Sequence, residues 1–239
     1  IKNDFKGTLA RIAEIGYADI EFWEYTKGGF FNVPAGEIKK ILDDLGMKCS
    51  SIHIGIKDLS TDTTQVFETA KILESNYVSC NYLETYERES LDDYKKHAAL
   101  FNRLGEKAET LGMQFGYHNH EFEFEEMEGQ VPYDLLLNEC DEELVKFEMD
   151  MYWMHVAKQD PVAYFQTHPH RFPLWHIKDA NAQGQFTPVG QGVIDWERIF
   201  NHADVAGLEQ YFVEQDNHPN GKPFENIAES LAYLKEQKF

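Results

Sequence analysis

The sequence predicts an α/β chain built as a (β/α)8 TIM barrel that lacks its first strand. Three observations carry that expectation. Short β-branched and aromatic runs alternate with amphipathic stretches, polar residues sit at the C-terminal end of nearly every run, and no GxGxxG phosphate loop follows any of them. An open doubly wound sheet is the competing arrangement, and the missing glycine-rich turn argues against it.

The runs fall at residues 18–24 (ADIEFWE), 48–56 (KCSSIHIGI), 77–83 (YVSCNYL), 114–120 (QFGYHNH), 145–150 (VKFEMD), 174–179 (LWHIKD) and 211–216 (YFVEQD). Their starts lie about 30 to 37 residues apart, the length of one βα unit. Between them, Leu9, Ile12, Ala13 and Ile15 form one apolar helical stripe. Ile38, Ile41, Leu42 and Leu45 form another, opened by Pro34 and stopped by Gly46. A longer helix is predicted from about Leu91 to Leu111, closed by Gly112. The NHEFEFEEMEG stretch alternates Phe122 and Phe124 with acids and reads as an extended strand end running into a hairpin-like excursion. Seven runs are one short of eight and the chain opens on a helix, so the first strand is expected to be missing. Residues 1–239 are expected to form a single domain.

Composition narrows the partners. The apolar fraction is only 42%, but 17 Phe, 12 Tyr and 4 Trp supply enough large side chains for a sizeable core. The formal net charge is −20 and no basic block occurs, which argues against nucleic acid as a partner. No apolar run is long enough to span a bilayer, so no membrane partner is expected. Cys49, Cys80 and Cys140 show no CxxC spacing, and Cys49 and Cys80 fall in apolar strands, so buried free thiols are expected. That usage favours the cytoplasm over the periplasm. Neither a monomer nor a homo-oligomer is selected.

Read in order, the strand ends supply Glu21 and Glu24, His53, then Tyr117-His118-Asn119-His120-Glu121. Glu148 and Asp150 follow, then His176 with Lys178 and Asp179, and finally Glu214 with Asp216. Residues two apart on a strand share a face, which pairs His118 with His120, Glu148 with Asp150, His176 with Lys178, and Glu214 with Asp216. A lone His or Glu at a strand end is commonly a loop cap, and Glu21 and His53 carry that alternative. Four consecutive strands each delivering an imidazole or carboxylate point to one divalent ion, Mn, Mg, Co or Zn.

The motifs YHNHEFEF, EMDMYWMHVAKQDPVAYF, RFPLWHIKD, VGQGVIDW and YFVEQD resemble the sugar phosphate isomerase/epimerase group of the xylose-isomerase-like TIM barrel superfamily. The resemblance runs from about Asp4 to the C-terminus. It implies one metal held by a Glu, an Asp, a His and a Glu on the last four strands. Carried over, the Asp is Asp150, the His is His176 and the final Glu is Glu214, while the first Glu position falls on or near His118. His118 then serves as ligand, or His120 or Glu123 reaches in. Trp153 stands where many members carry a His, which argues against a close match to the ketose 3-epimerases.

The implied activity is metal-dependent isomerisation or epimerisation of a small-molecule sugar or sugar derivative through an enediolate. A lyase or dehydratase acting on a keto-inositol or 3-keto-glycoside is the alternative, and a non-catalytic sugar-binding barrel is a further rival. Glu214 is the expected acid–base group and His118 or His120 its counterpart. Lys178 polarises a substrate oxygen or forms a salt bridge to Asp179 or Asp150. Glu21, His53 and Trp153 are the substrate-binding candidates, with Trp23, Trp153 and Phe186 an apolar wall against a sugar ring or packing of core and loop.

Overall fold

The computed structural model describes residues 1–218 and 220–237. They divide into two compact units, one of residues 1–118 and 123–146, the other of residues 119–122 and 147–239.

The first unit carries four parallel strands: β1 (Asp19–Phe22), β2 (Lys48–Ile54), β3 (Tyr77–Cys80) and β4 (Gln114–His118). They pair in sequence order, with Glu21 opposite Ser51, His53 opposite Ser79, and Cys80 opposite Tyr117. Ile52, Ile54, Val78, Cys80 and Phe115 are buried, as parallel strands covered by helices require. The helix Phe5–Ile15 begins at Asp4, whose carboxylate accepts from the Gly7 amide, and ends at left-handed Gly16. The helix Ala35–Leu45 runs from Pro34 to Gly46 and buries Ile38, Ile41 and Leu42. The long helix spans Leu91–Thr110, and a Ser90–Asp93 capping box fixes its start. Gly105 lets this helix approach the Leu144 carbonyl, because a Cβ there would overlap that oxygen.

The second unit carries three parallel strands, β5 (Val145–Asp150, from Phe147 on), β6 (Leu174–Ile177) and β7 (Gln210–Val213). Asp150 pairs with His176, and His176 with Phe212, so one row of the ladder joins the ends of all three strands. The helices Met151–Val156, Pro161–Thr167, Trp196–Phe200 and Pro223–Glu236 belong to this unit. Trp175 packs flat on Phe165 at 5.1 Å and meets Phe200 at 5.4 Å, which anchors β6 in its core.

One local expectation is corrected. The strand stops at His118 and does not extend through Glu121; Phe122–Phe124 is a turn of 3-10 helix. What remains of the hairpin is an antiparallel bridge between Met127 and Gln130. Both Phe side chains of the turn are buried, which a tight helical turn achieves as well as a strand does.

Candidate active site and metal centre

In the second unit the site grows from the alternation of β5. Glu148 and Asp150 share a face, and both are fully buried. Asp150 divides its two oxygens. Oδ1 accepts from the amides of Tyr152 (2.9 Å) and Trp153 (3.1 Å), capping the helix Met151–Val156. Oδ2 faces the neighbouring strand, 3.8 Å from His176 Nδ1 and 3.1 Å from Lys178 Nζ. The Asp150 amide donates to Asn119 Oδ1 at 3.1 Å, which fixes the backbone beneath the carboxylate.

His176 sits between carboxylates. Its Nδ1 lies 2.8 Å from Glu214 Oε2, and its Nε2 lies 3.2 Å from Glu148 Oε1. The Nδ1–H donates to Glu214 Oε2, and an ion held by Nδ1 would require that proton to sit on Nε2, facing Glu148. One ligand atom each from Asp150, His176 and Glu214 lies within 4.8 Å of the others. Two carboxylates and one imidazole this close are a donor set for a divalent ion of the Mn, Mg, Co or Zn kind.

Lys178 follows on the same face of the chain leaving β6. Its Nζ meets Glu214 Oε2 at 2.7 Å, Asp150 Oδ2 at 3.1 Å and Asp216 Oδ1 at 3.1 Å. Burial opposes the ammonium charge, but Asp150, Glu214 and Asp216 outweigh it and hold Lys178 above its ordinary value. Burial and the neighbouring Glu214 raise the Asp216 carboxyl, against the pull of Lys178. The anticipated pairing of Lys178 with Asp150 is present, whereas Asp179 serves another purpose. Its carboxylate accepts from the amides of Ala180 (2.8 Å) and Gly190 (2.9 Å) and from Trp196 Nε1 (2.9 Å). This buried carboxylate ties the VGQGVIDW loop to the end of β6.

Aromatic rings flank the ammonium. Lys178 Nζ lies 5.3 Å from the Trp153 ring and 5.7 Å from Phe186. Tyr152 packs against both, at 4.8 and 4.4 Å, and its hydroxyl donates to the Gly184 carbonyl at 3.0 Å. His120 reaches Trp153 at 5.4 Å and lies parallel to Phe122 at 5.5 Å. Because β4 ends at His118, strand alternation does not place His120; this stack does.

In the first unit, Glu21 Oε2 lies 3.0 Å from His53 Nε2, and the His53 and His118 rings are 5.0 Å apart. These three candidates therefore come together, all on strand ends. Tyr117 points to the opposite face from His118, packs on Phe101 at 5.2 Å and donates to Glu123 Oε1 at 2.5 Å. Glu123 thus engages the helix-facing side of β4. Trp23 is exposed, edge-on to Phe31 with Lys2 over its ring. Sequence reasoning missed the positioning roles of Asn119 and Asp179 and the placement of Glu148 beside His176. For Glu148 the signal was its two-residue spacing from Asp150.

Fold and site together define a βα-repeat chain with carboxylates and imidazoles gathered at its strand ends. A family model described as xylose isomerase-like TIM barrel matches residues 9–237. The chain belongs to that family, and the TIM-barrel class expected from its alternating pattern is the one found.

An inosose dehydratase of Clostridium beijerinckii is 28% identical over 166 residues, 61% of this chain and 55% of that protein. One from Lacticaseibacillus casei is 26% identical over 163 residues, 60% of this chain and 54% of that protein. The chain thus spans about half the length of the curated relatives it matches. A crystal structure described as a sugar phosphate isomerase/epimerase from Parabacteroides distasonis superposes with a TM-score of 0.84 at 29% identity. The match covers 98% of this chain and 88% of that one. Among the described residues no helix is long and apolar enough to cross a membrane.

Proposed function

We propose that the chain is an enzyme that removes a proton next to the carbonyl of a sugar or sugar derivative, with one divalent ion as cofactor. The ligands are Asp150, His176 and Glu214. The observation that carries the reading is the approach of the Asp150, His176 and Glu214 ligand atoms to within 4.8 Å of one another. The donor chemistry fits the ion. Asp150 keeps one oxygen for its helix cap and turns the other toward His176, and Glu148 lies beside Nε2, where it would accept from that nitrogen once Nδ1 held the ion. When bound, a divalent ion supplies Lewis acidity that stabilises an enediolate oxygen.

The chain's own residues do the remaining work. Glu214, whose side chain is 35% exposed, reaches the substrate side and is one acid–base group. His120, packed against Trp153, is the other, and such proton transfer contributes typically about 10²–10⁴-fold. Lys178, held by Asp150, Glu214 and Asp216, sets a positive charge beside Glu214, and Trp153 binds the substrate. The reaction ends as an isomerisation or epimerisation, in line with the name of the Parabacteroides distasonis neighbour.

The inosose dehydratase relatives favour a second reading. A lyase acting on a keto-inositol or 3-keto-glycoside passes through the same enolate and then expels a β-oxygen. The test is NMR product analysis with a ketohexose panel and 2-keto-myo-inositol, with Mn or Mg added. A product that keeps every oxygen supports isomerisation, and loss of water supports the lyase. Substrate binding indifferent to chelation would instead mark a non-catalytic sugar-binding barrel.

A further inference from the structure

We infer that Asn220 is a self-modifying site: the Gly221 amide closes on its side chain, expels ammonia and so unlatches the segment after β7 from the last helix. This chemistry is separate from the proton abstraction at Asp150, His176 and Glu214. Asn220 and Gly221 form the only Asn–Gly pair in the sequence, and both are exposed to water. Glycine has no side chain to shield its amide, and Gly221 holds the left-handed backbone at φ 69°.

The Asn220 carboxamide is held ready by its neighbours. The Lys222 amide donates to Asn220 Oδ1 at 3.0 Å, an Asx turn that folds the side chain back over the Gly221 peptide. Asn226 Nδ2 donates to the same oxygen at 3.3 Å, and Asn220 Nδ2 donates back to Asn226 Oδ1 at 2.8 Å. Asn226 is buried, and its Nδ2 also donates to His218 Nδ1 at 3.2 Å, which fixes which way its amide points. Burial lowers His218 from its ordinary value, so the ring is neutral at neutral pH and can accept that bond.

Gly221 N attacks Asn220 Cγ, and negative charge gathers on Oδ1, where the Lys222 and Asn226 N–H groups already point. The Gly221 N–H proton passes to water, the Cγ–Nδ2 bond breaks, and the nitrogen leaves as ammonia. A five-membered succinimide remains, and water opens either of its carbonyls to give aspartate or isoaspartate.

Two bonds are lost on the way. The Gly221 N–H that donates to the His218 carbonyl at 2.8 Å disappears in the ring. The Asn220 donor becomes a carboxylate oxygen that meets Asn226 Oδ1, acceptor against acceptor. Asn226 lies in the first turns of the helix Pro223–Glu236, and its carbonyl accepts from Ser230 Oγ, to which the Val189 amide donates at 3.0 Å. Conversion therefore loosens the head of that helix and the segment that joins it to Glu214 and Asp216.

The test incubates the intact protein at neutral pH and maps each asparagine by peptide mass spectrometry, with isoaspartyl methyltransferase labelling. Conversion should occur at Asn220 while the other asparagines stay intact, at least about tenfold faster in the folded protein than in denaturing urea. Asn226→Asp removes the side-chain donor to Oδ1 yet keeps an acceptor for Asn220 Nδ2, and should slow conversion about tenfold. In the converted protein, hydrogen exchange at the amides of residues 224–227 should rise at least about tenfold. An Asn220 that stays intact, or that converts no faster folded than in urea, overturns the proposal. So does an unchanged rate in Asn226→Asp with a native circular-dichroism spectrum, or unchanged exchange after conversion. The urea comparison needs no variant, so it decides the matter even if Asn226→Asp fails to fold.

Discussion

Replacing Lys178 by Met removes, among the described residues, the one lysine or arginine that faces Asp150, Glu214 and Asp216 together. Lys178 and Asp150 have side-chain exposures of 2% and 0% and lie 3.1 Å apart, so this pair is fully desolvated. Glu214 and Asp216 are 35% and 39% exposed, and water screens their share to about 0–1 kcal/mol each. Removing one partner of a buried pair strands the other charge and costs about 3–5 kcal/mol. In a chain of this size each kcal/mol shifts Tm by roughly 2–4 °C, so the variant should melt roughly 6–20 °C lower.

A divalent ion restores positive charge at the same oxygens, so the variant should gain more from added Mg or Zn than the parent does. Circular-dichroism melts with EDTA and with saturating metal measure both effects. The sign with pH also follows. Lys178 is held above its ordinary value, so its stabilisation is fully present below about pH 10.4 and is lost as pH rises through the folded value. That alkaline loss should be absent in the variant. A drop below about 1 kcal/mol, or a deficit that metal leaves unchanged, would refute the reasoning.

Three further outcomes are expected. Burial pushes the Cys49 thiol up to about 12 and raises Cys80 as well, and Cys140 is also buried. All three should resist a thiol reagent at pH 8 until the chain is unfolded, and rapid labelling of the native protein would contradict this. Gly192→Ala would drive a Cβ into Asp179 Oδ1 and the Ala180 carbonyl; urea denaturation should show a loss of about 1–3 kcal/mol. The Arg198 hydrogen bond holds Asp160 below its ordinary value, so Arg198→Ala should cost under about 1 kcal/mol for this 46% exposed pair. Because Asp160 is lowered, that difference should be present above pH ~3.9 and vanish as pH falls through the folded value.

The long helix was legible almost to the residue, and Gly112 was the local signal that closed it. Strand positions were legible too, but their ends overshot. The run 77–83 is strand only to Cys80 and the run 114–120 only to His118. The antiparallel pair Asp179–Ala180 with Phe186–Thr187 carries too few residues to leave a period.

In the site, Asp150, His176 and Glu214 were legible as strand-end residues; the ladder sets Asp150 opposite His176, and Glu214 directly follows β7. Asp179 was not: its use depends on amides of residues 190 and 192, which only the folded loop brings near. Asn119 likewise gains its meaning from the Asp150 amide 31 positions away.

Solvent-proton exchange tests the central claim most directly. A panel of ketoses and 2-keto-myo-inositol would be followed by NMR in D₂O with the parent protein and with Asp150→Asn, each with Mg and each with EDTA. The account predicts deuterium at one carbon beside a carbonyl, abolished by EDTA and reduced at least about 10²-fold in Asp150→Asn. Exchange that survives both chelation and the substitution would contradict it, because proton abstraction would then owe nothing to these ligands.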